Sequence, residues 1–299
     1  MFEIQNISKT FQVDFWSKRF AALDSVSFKV RPGEIVGFLG ANGAGKTTLL
    51  KIIMGFIKSD AGSVQFDPSL GKNQREIFSN LGYLPERPYF YPHLSGRDFL
   101  SYMGQLNNVV GAELAQQINK WAKVFSVDHA LDRKVRGYSK GMLQRLGFAS
   151  ALLHDPKIII LDEPLSGLDP RGRKELKDVL KSLHAQGKTI FFSSHIVSDV
   201  EEICQSVVVL EGGKLLFEGS ISNIIQEHIK PNYLLTTDYQ GSVDLAFSSE
   251  KLPDGQTVME VTPENKEKLI NEIIKCGGSI SGLSYLKPTL EEIVYNIRS

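Results

Sequence analysis

The chain has 299 residues, and its 34 Lys and Arg balance 34 Asp and Glu, so the formal net charge is zero. That length can bury a full core and leave a second, smaller domain, while the balanced charge supplies no overall field to attract nucleic acid or anionic lipid. Two cysteines, Cys204 and Cys276, lie far apart without metal-ligand or redox spacing and are expected to be idle thiols in a reducing compartment.

The first residues, Met1-Phe-Glu-Ile-Gln-Asn6, carry neither a basic region nor an apolar stretch, so no signal peptide is expected. No segment approaches the ~20 apolar residues of a membrane-spanning helix. Residues 22–30 alternate in strand fashion, with Leu23, Val26, Phe28 and Val30 largely on one face. The turn Arg31-Pro-Gly33 leads into a short apolar strand, Glu34 to Leu39. Residues 40–48 then read Gly-Ala-Asn-Gly-Ala-Gly-Lys-Thr-Thr, and 49–54 read as a helix. Strand, glycine loop and helix in this order define a phosphate-binding loop. Gly40, Gly43 and Gly45 allow backbone conformations that turn successive N–H groups onto phosphate oxygens, and the helix N-terminus adds its unpaired donors. Lys46 can reach the β- and γ-phosphates of a nucleotide, and the Thr47 hydroxyl can bind Mg²⁺.

Residues 93–155 change to helical patterning, with Phe99, Met103 and Leu106, then Leu114, Ile118, Trp121, Val124 and Phe125 at three-to-four spacing. This predicts a helical subdomain inserted into an α/β core. Near its end Ser139, the Gly141 backbone and the start of a helix from Met142 to about Leu153 form a second anion site. One phosphate loop needs no second anion site in its own crevice, so this one is expected to meet the phosphate of another copy of the chain.

The apolar strand 157–161 ends in Asp162 and Glu163. In a parallel sheet the carboxyl ends of strands line the ligand crevice, so Asp162 can hold Mg²⁺ and Glu163 can orient and deprotonate an attacking water. Asp169 is placed to cap the next helix, with Pro170 in its first turn. The strand 189–193 follows, and His195 at its end can hydrogen-bond a γ-phosphate. A hairpin is predicted from Ser206–Leu210, the pair Gly212-Gly213 and Lys214–Phe217. Continuous apolar strands alternating with helices imply a parallel sheet covered on both faces. From about Ser220 the pattern restarts, with helices expected at 220–229, 264–275 and 288–298 and short strands between them.

In this order the elements resemble the nucleotide-binding subunits of ATP-binding cassette (ABC) transporters. The resemblance rests on the loop Gly40–Thr48, the signature-like Tyr138-Ser-Lys-Gly-Met142 with Gln144-Arg145, the acidic strand Ile158–Glu163, the D-loop-like Ser166-Gly-Leu-Asp169, and the switch-like His195. It covers residues 1 to about 220. It implies an α/β P-loop NTPase core, a mixed sheet flanked by helices, with the inserted helical subdomain and an N-terminal antiparallel β subdomain. Residues 1–219 would be the ATPase domain and 220–299 a small C-terminal α+β accessory domain.

The resemblance further implies an ATPase that binds ATP and Mg²⁺ through Gly40, Asn42, Gly43, Ala44, Gly45, Lys46, Thr47 and Thr48. Thr47, Glu86 and Asp162 would stand around the metal, and Glu163 and His195 would be catalytic. Two copies would stack head to tail, with ATP between one copy's loop and Ser139, Gly141 and Asp169 of the other, and would drive a separate multi-span permease from the cytoplasmic face of a bacterial inner membrane.

Three positions depart from the commonest family pattern. Glu86 stands where the Q-loop usually has Gln; it keeps an oxygen for Mg²⁺ but cannot donate an amide hydrogen bond. Tyr138 and Lys140 replace Leu and Gly of the signature. The adenine-stacking aromatic is Phe11, with Phe15, Trp16 and Phe20 as alternatives around the insert Gln12–Arg19. That insert mixes aromatic and basic residues suited to lipid headgroups or the partner, or forms a plain hairpin tip.

The Pro85-Glu86 variant, the Tyr138–Met142 segment and the tail Lys287-Pro-Thr-Leu-Glu-Glu-Ile-Val-Tyr295 resemble the ABC-2 branch of bacterial exporters. The alternative is a soluble ABC ATPase acting on ribosomes or DNA. It is disfavoured by a single cassette, by the lack of coiled-coil or zinc inserts, and by the neutral charge.

Overall fold

A computed structural model describes residues 1–12, 19–227, 232–241, 248–286 and 288–298 of the chain. Residues 13–18, which include the aromatic alternatives Phe15 and Trp16, lie outside the described residues, as does Lys287 of the tail motif. The chain divides into two compact units, Met1–Ile221 and Ser222–Ser299.

The first unit opens with β1 (Phe2–Phe11) and β2 (Phe20–Val30), which pair antiparallel. Leu23 and Val26 are three residues apart, yet both are buried. Ser25 between them has φ 52, and the register shifts there, so an irregularity in the strand returns both side chains to the core. Next come β3 (Ile35–Leu39) and α1 (Lys46–Ile53). The helix begins at Lys46, three residues before the expected start, because Gly45 takes φ 104 and closes the loop directly onto the first turn.

Three elements that periodicity did not single out follow: β4 (Ala61–Phe66), α2 (Gln74–Phe78) and β5 (Leu81–Leu84). The helical insertion consists of α3 (Gly96–Leu106), α4 (Gly111–Val124) and α5 (Lys140–Leu152). Phe99, Leu114, Ile118, Trp121 and Phe125 are buried in it as expected, whereas Leu106 and Val124 are exposed. Both sit in the last turn of their helices on the side turned outward, while Phe125, one residue beyond Val124, turns inward onto Trp121 and Phe148. The core resumes with β6 (Ile158–Leu161), α6 (Pro170–Ala185), β7 (Thr189–Ser194), α7 (Val197–Ile203), β8 (Ser206–Glu211) and β9 (Lys214–Ser220), and the next helix, α8 (Ile221–Glu227), starts at the boundary and belongs with the second unit. Gly212 and Gly213 both have positive φ, 53 and 81, which matches a tight hairpin turn between β8 and β9.

The main sheet has the order β5-β6-β7-β3-β8-β9, parallel except for the antiparallel edge strand β9. Its inner strands read Ile-Ile-Ile-Leu and Thr-Ile-Phe-Phe and are buried throughout, the signature of a sheet covered on both faces. A second sheet, β2-β1-β4, is antiparallel. The two share one core, in which Phe28, Phe38 and Phe191 stack at centroid separations of 5.2 to 6.1 Å and Phe2 meets Phe191 edge-on at 5.5 Å. Those rings hold β3 rigidly, and β3 feeds the glycine loop.

The second unit contains β10 (Tyr233–Thr237), β11 (Ser248–Lys251), β12 (Thr257–Val261), α9 (Pro263–Lys275), β13 (Ile280–Tyr285) and α10 (Leu290–Arg298). Its antiparallel sheet has the order β11-β12-β10-β13, and Leu235, Met259 and Val261 pack against Leu269 and Ile273 of α9 as a separate core.

Candidate active site

The carboxyl ends of β3, β6 and β7 lie side by side in the sheet and deliver the glycine loop, Asp162-Glu163 and Ser193–His195 to one edge. They border a cavity of about 520 Å³ lined by Phe20, Ala22, the loop residues 41–43 and 45–48, Glu86, Glu163, Ser166 and His195. Within the loop, Gly43 has φ 83 and Gly45 φ 104, conformations that favour residues without a Cβ. Gly40 is required for a different reason: a Cβ there would sit 2.6 Å from the Leu210 carbonyl oxygen. Gly40 and Ala44 shape the loop from behind and do not line the cavity, whereas Asn42, Gly43, Gly45, Lys46, Thr47 and Thr48 do.

Lys46 is buried, and its ammonium donates to the carbonyls of Gly40 (2.6 Å) and Ala41 (3.3 Å) while standing 3.5 Å from Glu163 Oε1. Thr47 Oγ1 donates to Asp162 Oδ2 at 2.9 Å. Asp162 is only 1% exposed, and its other oxygen accepts from Ser193 Oγ at 2.6 Å. The same Ser193 oxygen accepts the backbone N–H of Glu163 at 2.8 Å. One hydroxyl therefore locks the two acidic residues to β7. Glu163 has φ 48, a strained backbone for a residue with a Cβ, and its Oε2 lies 2.9 Å from His195 Nδ1. Its Oε1 is buried and accepts no hydrogen bond, with the Lys46 ammonium at 3.5 Å as its nearest cation. Tyr83 on β5 borders this charge; burial, with a smaller contribution from the Asp162 carboxylate, pushes its phenol up to about 12.

Glu86 lines the cavity with a half-exposed side chain, 3.8 Å from the Arg87 guanidinium. Phe20 lines the cavity at 57% exposure; Phe11, its partner across β1 and β2, is 38% exposed and lies under Lys9, away from the lining. The structure thus brings the alternative Phe20, rather than the first-named Phe11, to the cavity wall.

Ser139, Gly141 and Asp169 are not among the lining residues. Ser139 is the exposed N-cap of α5 and accepts from the Met142 N–H at 3.3 Å. Asp169 caps α6, accepting from the Gly172 N–H at 3.1 Å. Gln144 of α5 donates to the Pro164 carbonyl at 3.0 Å, which joins the helical insertion to the turn after Glu163. Sequence reasoning missed Ser193, and it quoted Ser166 and Gln144 within motifs without giving either a contact. The one local signal was the pair Ser193-Ser194, polar residues closing an otherwise apolar strand.

The donors present fit a magnesium nucleotide. Thr47 and Asp162 offer hard oxygens side by side beside a loop built for phosphate, the donor type Mg²⁺ takes when substrate phosphates complete its shell. Among the described residues there is no cluster of three or more His, Cys, Asp or Glu suited to an all-protein metal site, so phosphate oxygens would have to supply much of the coordination.

A P-loop sheet with an inserted helical subdomain, an antiparallel β subdomain and this carboxylate pair defines an ABC-type ATPase. The ABC transporter family matches residues 23–166. An uncharacterised ABC transporter ATP-binding protein of Synechocystis is 43% identical over 228 residues, covering 75% of this chain but only 64% of its own length. YhaQ of Bacillus subtilis, likewise an ABC transporter ATP-binding protein, is 32% identical over 298 residues, covering 98% of this chain and 97% of its own. A solved structure of an ATP-binding subunit of an ABC transporter superposes with a TM-score of 0.67 at 27% identity, covering 76% of this chain and 92% of that one. The chain belongs to the ABC transporter ATP-binding proteins.

Proposed function

We propose that the chain is the ATP-hydrolysing subunit of an ABC transporter and couples ATP-driven closure of a head-to-tail dimer to export through a separate permease. The observation that carries the hydrolytic reading is the place of Glu163: it lines the cavity, and its Oε1 accepts no hydrogen bond while standing 3.5 Å from the Lys46 ammonium of the phosphate loop. A carboxylate oxygen beside that lysine is placed to take the proton of an attacking water once Lys46 turns to phosphate. His195, paired with the other Glu163 oxygen, orients the base and meets the γ-phosphate. Lys46 exchanges its loop carbonyls for the β- and γ-phosphates. Thr47 and Asp162, with Glu86 at the rim, hold Mg²⁺, which when bound neutralises charge developing on the phosphate oxygens. Phe20, with Phe11 beside it on the neighbouring strand, stacks on adenine.

Ser139, Gly141 and Asp169 lie on exposed helix starts outside the cavity, which supports their acting on nucleotide held by a second copy. No helix among the described residues is long and apolar enough to cross a membrane. On this reading the cargo path is supplied by the permease, and the subunit sits peripherally at the cytoplasmic face of a bacterial inner membrane. The Pro85-Glu86 variant and the tail at 287–295 favour the ABC-2 exporter branch.

Glu163→Gln tests the core of the proposal. It should bind ATP, form a dimer on gel filtration and lose at least about 100-fold in kcat; undiminished hydrolysis would remove Glu163 as the base. Co-purification from membranes with a multi-span protein tests the partner.

A further inference from the structure

The loop that ends in Asp169 and the loop that ends in His195 each run straight into a helix, α6 and α7. A line of cations on α6, Arg173, Lys177 and Lys181 at one-turn spacing, faces Asp199 and Glu202 on α7. Asp199 is the centre of this line. It is 4% exposed, it is paired with Arg173, and it takes Lys177 Nζ at 2.8 Å. Lys177 also pairs with Glu202, and Lys181 stands 3.7 Å from Glu202. Burial alone would depress the Lys177 ammonium; the hydrogen bonds to Asp199 and Glu202 outweigh it and raise its pKa.

Arg173 is held at both ends. Its backbone N–H donates to the Asp169 carbonyl at 2.9 Å, in the first turn of α6, while its guanidinium holds Asp199. Asp199 lies in the first turn of α7, four residues after His195. On its other side α7 is seated against β3, where Val200 fills the notch left by Gly37; a Cβ at residue 37 would overlap the Val200 methyls. The helix that follows His195 thus has two fixed supports, the strand that feeds the phosphate loop and the helix that starts at Asp169. An apolar contact would hold α6 to α7 without the cost of desolvating three charges. A doubly paired buried carboxylate instead fixes one register and one rotation between them.

We infer that Asp199, clamped by Arg173 and Lys177, is a positioning residue that ties the Asp169 loop to His195, so that the seating of α7 on α6 sets His195 against Glu163. The inference rests on the proposed roles of Glu163 and His195. Asp199 itself touches no substrate. Its effect passes through the angle at which α7 presents the preceding histidine.

The test is a mutant cycle read by single-turnover hydrolysis of ATP and by steady-state kinetics on the full chain. Asp199→Asn should lower kcat about tenfold or more while leaving KM for ATP within about threefold, the split expected when reacting groups are misplaced and binding is intact. Asp199→Glu should recover part of the rate. In a His195→Ala background, Asp199→Asn should add no further loss, because both changes remove the same interaction. Arg173→Gln, at a partly exposed position, gives the same reading should Asp199→Asn fold poorly. Losses that multiply, or no loss of kcat in either variant, would overturn the clamp while leaving the site intact. Undiminished hydrolysis in His195→Ala alone would instead bring down the assignment of the site, and the inference with it.

Discussion

Glu163 sits at φ 48 with its backbone N–H handed to a serine side chain from the neighbouring strand rather than to a carbonyl. That substitution explains how a strained residue is kept in place at the site: the turn after β6 leaves the sheet ladder early, and Ser193 supplies the missing acceptor. It also supplies the Asp162 carboxylate with a donor, so one hydroxyl holds the Asp162 side chain and the Glu163 backbone. Ser193→Ala should therefore do more than a surface change. It strands a buried N–H and removes a charge-assisted bond, costing about 1–3 kcal/mol in urea unfolding. Hydrolysis should fall with ATP affinity nearly unchanged, since Ser193 does not reach the loop donors. Lys46, Thr47 and Asp162 were legible in the linear pattern because the motif that needs them is local. Ser193 and the choice of Phe20 over Phe11 were not, because strand pairing decides which side chain faces the cavity.

At the level of elements, the parallel sheet was readable from runs such as Ile158–Leu161, since only a doubly covered strand tolerates unbroken apolar sequence. The helices of the insertion were readable from their spacing, apart from the outward-facing Leu106 and Val124. β4, α2 and β5 were not, for β4 has an exposed, polar pattern and the other two are only five and four residues long. The packing of α7 on β3 was hidden too, because Gly37 reads as an ordinary strand interruption until Val200 is placed against it. Gly37→Ala should cost about 1–3 kcal/mol by forcing α7 off the strand. Adding Val200→Ala should return part of that loss, and chemical denaturation of the two variants measures both.

For the whole molecule, the proposed sharing of the site between two copies has the largest consequence. The cavity is lined by the loop, Glu163 and His195, with Asp162 buried behind Thr47, while Ser139 and Asp169 do not line it. If two copies stack head to tail, Lys46→Ala and Ser139→Arg should each be inactive alone. A mixture should regain activity, because one of the two sites in a mixed dimer then carries both defects and the other carries neither. With free exchange the mixture should reach roughly a quarter of wild-type turnover. A mixture as inactive as its components would argue against shared sites. The second unit, with its own core around Leu235, Met259 and Leu269, is built separately from this machinery.

The sequence by itself determined the chemistry that depends on neighbours along the chain. A glycine loop between strand and helix, two acids closing an apolar strand and a capped helix start each draw their physical meaning from a few consecutive residues. Tertiary structure alone decided what joins them: that Ser193 binds both acids, that Phe20 forms the cavity wall, that Glu163 stands between His195 and Lys46, and that Asp199 is clamped between two helices. Those outcomes turn on strand order, register and burial. They are sums over residues distant in the chain, 30 positions for Ser193 and Glu163 and 26 for Arg173 and Asp199, and no short window of sequence contains both partners.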